Sequence, residues 1–282
     1  MRLNTVVVPY EPGESFTFTP VGDLHMGNSA CDMELVFRTL DGIRADPRAL
    51  WGGMGDYIDA IFPNDPRWAA GGIDERFMPL SNQDRIADAY REKLSDLLHP
   101  IAEKCLFFGR GNHEETVLKH YYTDLAGVVA HDLKLPYSEW AGATKVVFSD
   151  SPVASSHGYQ LIIFHQHGWQ AGRMDGAKVN EARRLMAYIH ADIYLVGHSH
   201  SKFVIPQARM GFNHPFTRIV QQEVYLAHTG SALKTLRQDV VSYAERAGYP
   251  PVSLGFVTFR ITPPTHHDRA KAGGHIRVEA IQ

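Results

Sequence analysis

Residues 105–114 read Cys105-Leu106-Phe107-Phe108-Gly109-Arg110-Gly111-Asn112-His113-Glu114. Four apolar residues bounded by Gly have the length and composition of a buried strand. The glycines that follow allow a sharp turn, and the turn delivers an amide, an imidazole and a carboxylate. The same sentence is written four more times. The apolar run Ser15–Val21 leads to Gly22-Asp23-Leu24-His25, and Ala49–Met54 leads to Gly55-Asp56. Leu161–Phe164 leads to His165-Gln166-His167-Gly168, and Ile193–Val196 leads to Gly197-His198-Ser199-His200. In open α/β sheets ligands bind at the carboxyl ends of strands. Five strand ends that each present Asp, Asn or His therefore predict one crevice lined with metal-ligand types.

Working outward, further strands are expected at Thr5–Val8, Lys145–Phe148, Val224–Ala227, Gly255–Ile261 and His275–Glu279. A helix is predicted over Asn82–Lys104, where Ile86, Ala89, Tyr90, Leu94, Leu97, Leu98 and Ile101 recur at three- and four-residue steps. Others are expected at Asp32–Arg44, Glu114–Asp132 and Asn180–His190. Strand–helix alternation predicts a layered α/β fold with mixed sheets. No linker divides the chain, so residues 1–282 read as a single domain. The segment 57–81, with Pro63, Pro66, Gly71, Gly72 and Pro79, reads as a long loop suited to a lid or substrate wall. The strand-rich part, 223–282, is expected to complete the layers.

Composition removes other classes. The 282 residues carry a formal net charge of −3, which argues against a broad nucleic-acid-coating surface. Two cysteines exclude a disulfide framework or a Cys-based zinc site and suggest a reducing, cytoplasmic setting. No apolar run approaches the length of a spanning helix, so no membrane segment is expected. Sixteen histidines are the distinctive count, but it is the position of five of them, His25, His113, His167, His198 and His200, at strand ends that points to metal.

Taken in order, the five elements resemble the pattern of the calcineurin-like metallophosphoesterase superfamily: Asp-x-His, Gly-Asp, Gly-Asn-His-Asp/Glu, a His followed by Gly, and Gly-His-x-His. The likeness spans Asp23 to His200, and Ala227-His228-Thr229-Gly230-Ser231 resembles the family's strand-turn beside the site. It implies a four-layer α/β/β/α sandwich holding two divalent transition-metal ions, manganese first, with iron, zinc, nickel and cobalt as alternatives. Asp23, His25 and His200 would hold one ion, and Asn112, His167 and His198 the other. Asp56 would bridge both, beside a bridging hydroxide that attacks phosphorus. Imidazole and carboxylate together suit such borderline cations rather than calcium. His113 would act as general acid or touch the phosphoryl group. Its plainer reading is a structural His at the start of a helix.

Several residues stay open at this point. His165 and His167 lie on one face of an extended strand. The family ligand precedes Gly, which selects His167 and leaves His165 as a supporting or core residue. Glu114 either orients His113 or starts the helix with a favourable charge. His228 is a candidate supporting residue. Arg110 could reach a phosphate or be packed on the sheet. Arg67, Trp68, Arg76, Trp169 and Arg173 could form a basic-aromatic rim, or the tryptophans could be buried anchors. The expected activity is hydrolysis of a phosphate ester, with a nucleotide or nucleic-acid phosphodiester first and a phosphomonoester second. A catalytically silent scaffold on the same fold, like the retromer subunit of the superfamily, is the non-enzyme alternative.

Overall fold

Two sheets account for the apolar runs in the computed structural model, which describes residues 1–60, 72–74, 85–149, 158–169, 172, 174–212, 216–236, 245, 248–265 and 276–281. The first sheet contains β1 (Arg2–Pro9), β6 (Ala141–Ser149), β7 (Tyr159–Gln166), β8 (Ile193–Val196), β9 (Lys202–Phe212), β10 (Ile219–Ser231) and β11 (Gly255–Phe256). Its order is β1-β6-β7-β8-β10-β11, with β9 paired antiparallel to β10. The second is ordered β13 (Arg277–Ile281), β12 (Thr258–Thr262), β2 (Phe16–Val21), β3 (Ala49–Gly53), β4 (Cys105–Gly109) and β5 (Tyr137–Glu139). Strands β2 to β5 run parallel, whereas β12 is antiparallel to both neighbours. Both sheets are mixed, as predicted.

Alternation of facing along the strands explains why most of the runs are apolar throughout. Leu50 of β3 and Phe107 of β4 face Leu161 and Ile163 of β7 and Ile193 and Leu195 of β8 between the sheets. Their neighbours Trp51 and Phe108 face outward, under α1 (Met33–Ala45), α2 (Ile86–Leu98) and α4 (Leu125–Leu133). On the far side Phe164, Tyr194 and Val196 meet Ala182 of α5 (Asp175–Tyr188). A strand buried on both faces cannot show polar alternation. The result is the α/β/β/α sandwich that the resemblance implies.

Local departures have local causes. The helix expected over Glu114–Asp132 is two, α3 (Asn112–Tyr121) and α4, because Tyr122 turns left-handed (φ 54°) and Asp124 starts a new helix by accepting from Gly127 N at 3.1 Å. The helix expected from Asn82 is described as α2 from Ile86, followed by a 3-10 turn, His99–Lys104, carrying Pro100 in its first turn. Helix α5 begins five residues before its expected start. Residues 202–212 and 219–223, where the sequence predicts no strand, belong to the ribbon of β9 and β10, whose outer ends alternate exposed and half-buried residues. The three-residue strand β5 was below the length at which periodicity can be seen. Much of the 57–81 loop, including Arg67, Trp68 and Arg76, lies outside the described residues, as does Arg173. Among the described residues no helix is long and apolar enough to cross a membrane.

Candidate metal centre

The five strand ends converge. Strands β2, β3 and β4 of one sheet and β7 and β8 of the other end around a single cluster, so both sheets contribute side chains. The backbone at these ends is unusual: Asp23, His25, Asp56, His198 and His200 all have positive φ, between 48° and 64°. Left-handed conformations are uncommon for residues other than glycine and gather at functional sites. Close backbone approach also dictates two glycines. A Cβ on Gly55, itself at φ +89°, would strike Gly111 N, and one on Gly111 would strike Asp56 Oδ1. The Gly in each turn is thus what lets β3 and β4 bring Asp56 and Asn112 together.

Among the described residues three groups have donor atoms within 4.8 Å of one another: Asp23, His25 and His200; Asp56, His167 and His198; and His25, Asp59 and His113. In the first, His25 Nε2 is 3.0 Å from His200 Nε2, and His200 Nε2 is 3.5 Å from Asp23 Oδ1. In the second, Asn112 Oδ1 is 3.1 Å from His167 Nε2 and 2.8 Å from His198 Nδ1. Asp56 Oδ2 lies between the two groups, 3.2 Å from His167 Nε2 and 3.9 Å from His25 Nε2. Ligands about 2.0–2.2 Å from one cation stand about 3–3.5 Å from each other, so these spacings suit shared ions. Asp23 Oδ1 is a buried carboxylate oxygen with no hydrogen bond, and a cation is what such an atom fits.

The imidazoles are aimed from behind. His167 Nδ1 donates to the Met54 carbonyl at 2.9 Å, leaving Nε2 free to face Asp56. His25 Nδ1 lies 3.2 Å from Asp59 Oδ1, which turns its Nε2 toward His200. Carbonyl and carboxylate partners of this kind set the tautomer of a metal-ligating His. Asp59 was missed by the sequence reading, which placed it in the loop after Asp56. It also accepts from Asn28 Nδ2 at 2.8 Å and lies 3.5 Å from His113 Nδ1. The signal was present as a second carboxylate three residues beyond Gly55-Asp56.

Electrostatics follow from burial. Asp23 is fully buried, which with the Asp56 charge outweighs His167 and His25 and pushes its carboxyl up to about 7. Burial also opposes a charged Asp56, but His167 and His113 override it and hold that carboxyl well below its usual range. For His167 burial is again overridden, by Asp56 and Asp23, and its pKa is pushed up to about 10. His200 goes the other way, since burial and His25 hold it well below the usual imidazole value. Without cations, Asp23 and His167 hold protons more tightly than usual while Asp56 and His200 hold them less tightly. Divalent ions could take the place of those protons.

The remaining candidates divide. Glu114 is fully buried and accepts from four backbone N–H groups: Asp56 at 2.9 Å, Tyr57 at 2.8 Å, Ile58 at 3.3 Å and Gly111 at 2.9 Å. It therefore clamps the Asp56 turn to the start of α3. Glu114→Ala would orphan all four donors, at about 1–3 kcal/mol for each buried group left unpaired. A domain of this size loses roughly 2–4 °C per kcal/mol, so thermal unfolding by circular dichroism should show a fall of about 10 °C or more; a change under about 2 °C would contradict the clamp. His228 is fully buried, with Nε2 3.0 Å from the Lys178 carbonyl and Nδ1 2.6 Å from Ser199 Oγ, and so braces the turn between His198 and His200. His165, by contrast, points between the sheets and stacks on Phe107 at 3.7 Å. Arg110 is ion-paired to Glu115 at 3.1 Å and Asp124 at 3.2 Å.

No protein-family model and no curated protein matches the sequence. Solved structures that resemble the chain include a conserved uncharacterized protein (predicted phosphoesterase) from Streptococcus pneumoniae, at 12% identity and TM-score 0.33, covering 95% of this chain and 99% of the other. A Vps29 double mutant from Entamoeba histolytica aligns at 12% identity and TM-score 0.32, covering 94% and 98%. With scores this low, the weight falls on the side chains themselves.

Proposed function

We propose that the chain is a dinuclear metal-dependent phosphoesterase that hydrolyses a phosphodiester of a nucleotide or nucleic acid. The observation that carries this reading is Asp56 Oδ2 standing between two donor groups whose spacings each suit a cation. Asp23, His25 and His200 would hold one ion, and Asn112, His167 and His198 the other, with Asp56 shared. Two such ions would polarise the phosphoryl oxygens and lower the pKa of a water between them, which is the chemistry divalent cations supply. Manganese fits the mixed oxygen and imidazole set, as do iron, zinc, nickel and cobalt.

The chain's own part is to position and to protonate. His113 is buried, and its backbone N–H donates to Asp56 Oδ1 at 2.9 Å, which ties the start of α3 to the shared carboxylate. Its ring packs edge-on to His25 at 4.5 Å, with Asp59 at its Nδ1. From there it gives a proton to the leaving alkoxide as that P–O bond breaks. The water oxygen forms the new bond to phosphorus, and the products are a phosphomonoester and an alcohol. A diester carries one negative charge and a monoester about two. The neutralisation of Arg110 by Glu115 and Asp124 favours the singly charged substrate.

The test is hydrolysis of bis(p-nitrophenyl) phosphate against p-nitrophenyl phosphate by purified protein with Mn²⁺. Faster turnover of the diester is expected. Faster turnover of the monoester would assign a phosphatase, and silence on both esters with metal bound would assign a scaffold.

A further inference from the structure

The described tryptophans are placed very differently. Trp51 is fully buried and donates through Nε1 to the Ile101 carbonyl at 2.7 Å, as a structural anchor does. Trp169, two residues beyond His167, is 72% exposed. An isolated exposed aromatic needs no explanation, but this one is built in. Its ring lies 5.9 Å from that of Trp140, and Trp140 in turn lies edge-on to His167 at 5.4 Å. The backbone beneath is held on several sides. The Trp140 carbonyl accepts from His167 N at 3.1 Å, Gly168 turns the chain at φ +93°, and Glu181 of α5 accepts from the Trp169 backbone N–H. The two rings form a fixed aromatic wall that begins at the metal centre and ends in solvent.

We infer that the Trp140–Trp169 wall is a binding site for a planar aromatic group, a nucleobase, attached to the substrate phosphorus on the side that is retained. The inference rests on the phosphoesterase reading and adds to it which substituent is recognised and where. The side follows from adjacency. The wall adjoins His167, whereas His113 adjoins His25 and Asp59. A group stacked on the tryptophans is therefore across the cluster from the proton donor and stays on phosphorus when the alcohol departs. Stacking tolerates any base, because every base has a π-face, and each stacked base is worth about 1–3 kcal/mol, roughly 5- to 150-fold in affinity.

Two esters with one leaving group isolate the effect: thymidine 5′-(p-nitrophenyl phosphate) and methyl p-nitrophenyl phosphate. The protein should hydrolyse the thymidine ester with a kcat/KM at least about fivefold higher, carried by KM. Trp169→Ala should remove most of that preference while leaving the methyl ester unchanged, and Trp169→Phe should keep much of it. Thymidine monophosphate should also quench tryptophan fluorescence saturably in the native protein and more weakly in Trp169→Ala. No preference between the esters, or equal losses on both in Trp169→Ala, would overturn the inference while leaving the phosphoesterase reading standing. If neither ester is turned over, that reading fails instead, and the fluorescence titration still decides: saturable quenching lost in Trp169→Ala supports the aromatic site, and its absence overturns it.

Discussion

Replacing Asp56 by Asn should abolish turnover and strip both ions from the protein. The residue is 1% exposed, and its Oδ2 faces His167 Nε2 at 3.2 Å and His25 Nε2 at 3.9 Å. His167 and His113 keep the carboxylate charged against the effect of burial. Two cations side by side need a shared anion between them, and Asn offers the same shape with no charge. Removing one preorganised electrostatic group costs about 10²–10³ in turnover, so a group that also holds the ions should cost at least that. Metal analysis after desalting should find the ions depleted, while circular dichroism in excess Mn²⁺ shows the sandwich intact. Full activity with two ions retained would remove Asp56 from its assigned place.

His113→Ala should have the opposite signature, with metal content unchanged and turnover slowed by about 10²–10⁴-fold, the range for loss of a general acid. The slowing should be larger for an alkyl leaving group than for p-nitrophenolate, which departs without a proton. There is a competing geometry to exclude, because His25, Asp59 and His113 also form a group within 4.8 Å. If that group holds an ion, His113→Ala will lose metal along with activity, and equally for both leaving groups. Asp59→Asn adds a second view. As a residue that positions His113 and His25, it should shift the pH profile and slow turnover less than His113→Ala does.

Much of this was legible in the residues. The strands that end at the cluster are largely buried on both faces, so all but Phe16–Val21, which carries Thr17 and Thr19, contain unbroken apolar runs. Four of them lead through Gly to Asp, Asn or His, and the fifth leads to His167 just before Gly168. That contrast survives without any knowledge of pairing. What could not be read was set by contacts distant in sequence. Strand β5 is three residues long and exists because β4 offers it an edge. The β9–β10 ribbon shows no apolar run because its outer ends alternate exposed and only half-buried residues. From the sequence Glu114 either orients His113 or starts the helix, and only the fold shows three N–H groups of the 56–58 turn closing on it. Arg110 and His165 were open for the same reason. One is decided by acids on α3 and beside α4, and the other by the opposing sheet.

The most direct test of the dinuclear site is a metal titration of the native protein, stripped with chelator and returned to Mn²⁺, followed by calorimetry and elemental analysis. Two equivalents per chain are expected, with proton release, because in the metal-free cluster burial raises the pKa of Asp23 and neighbouring carboxylates raise that of His167. One equivalent, or none, would contradict the shared-carboxylate centre on which the account depends.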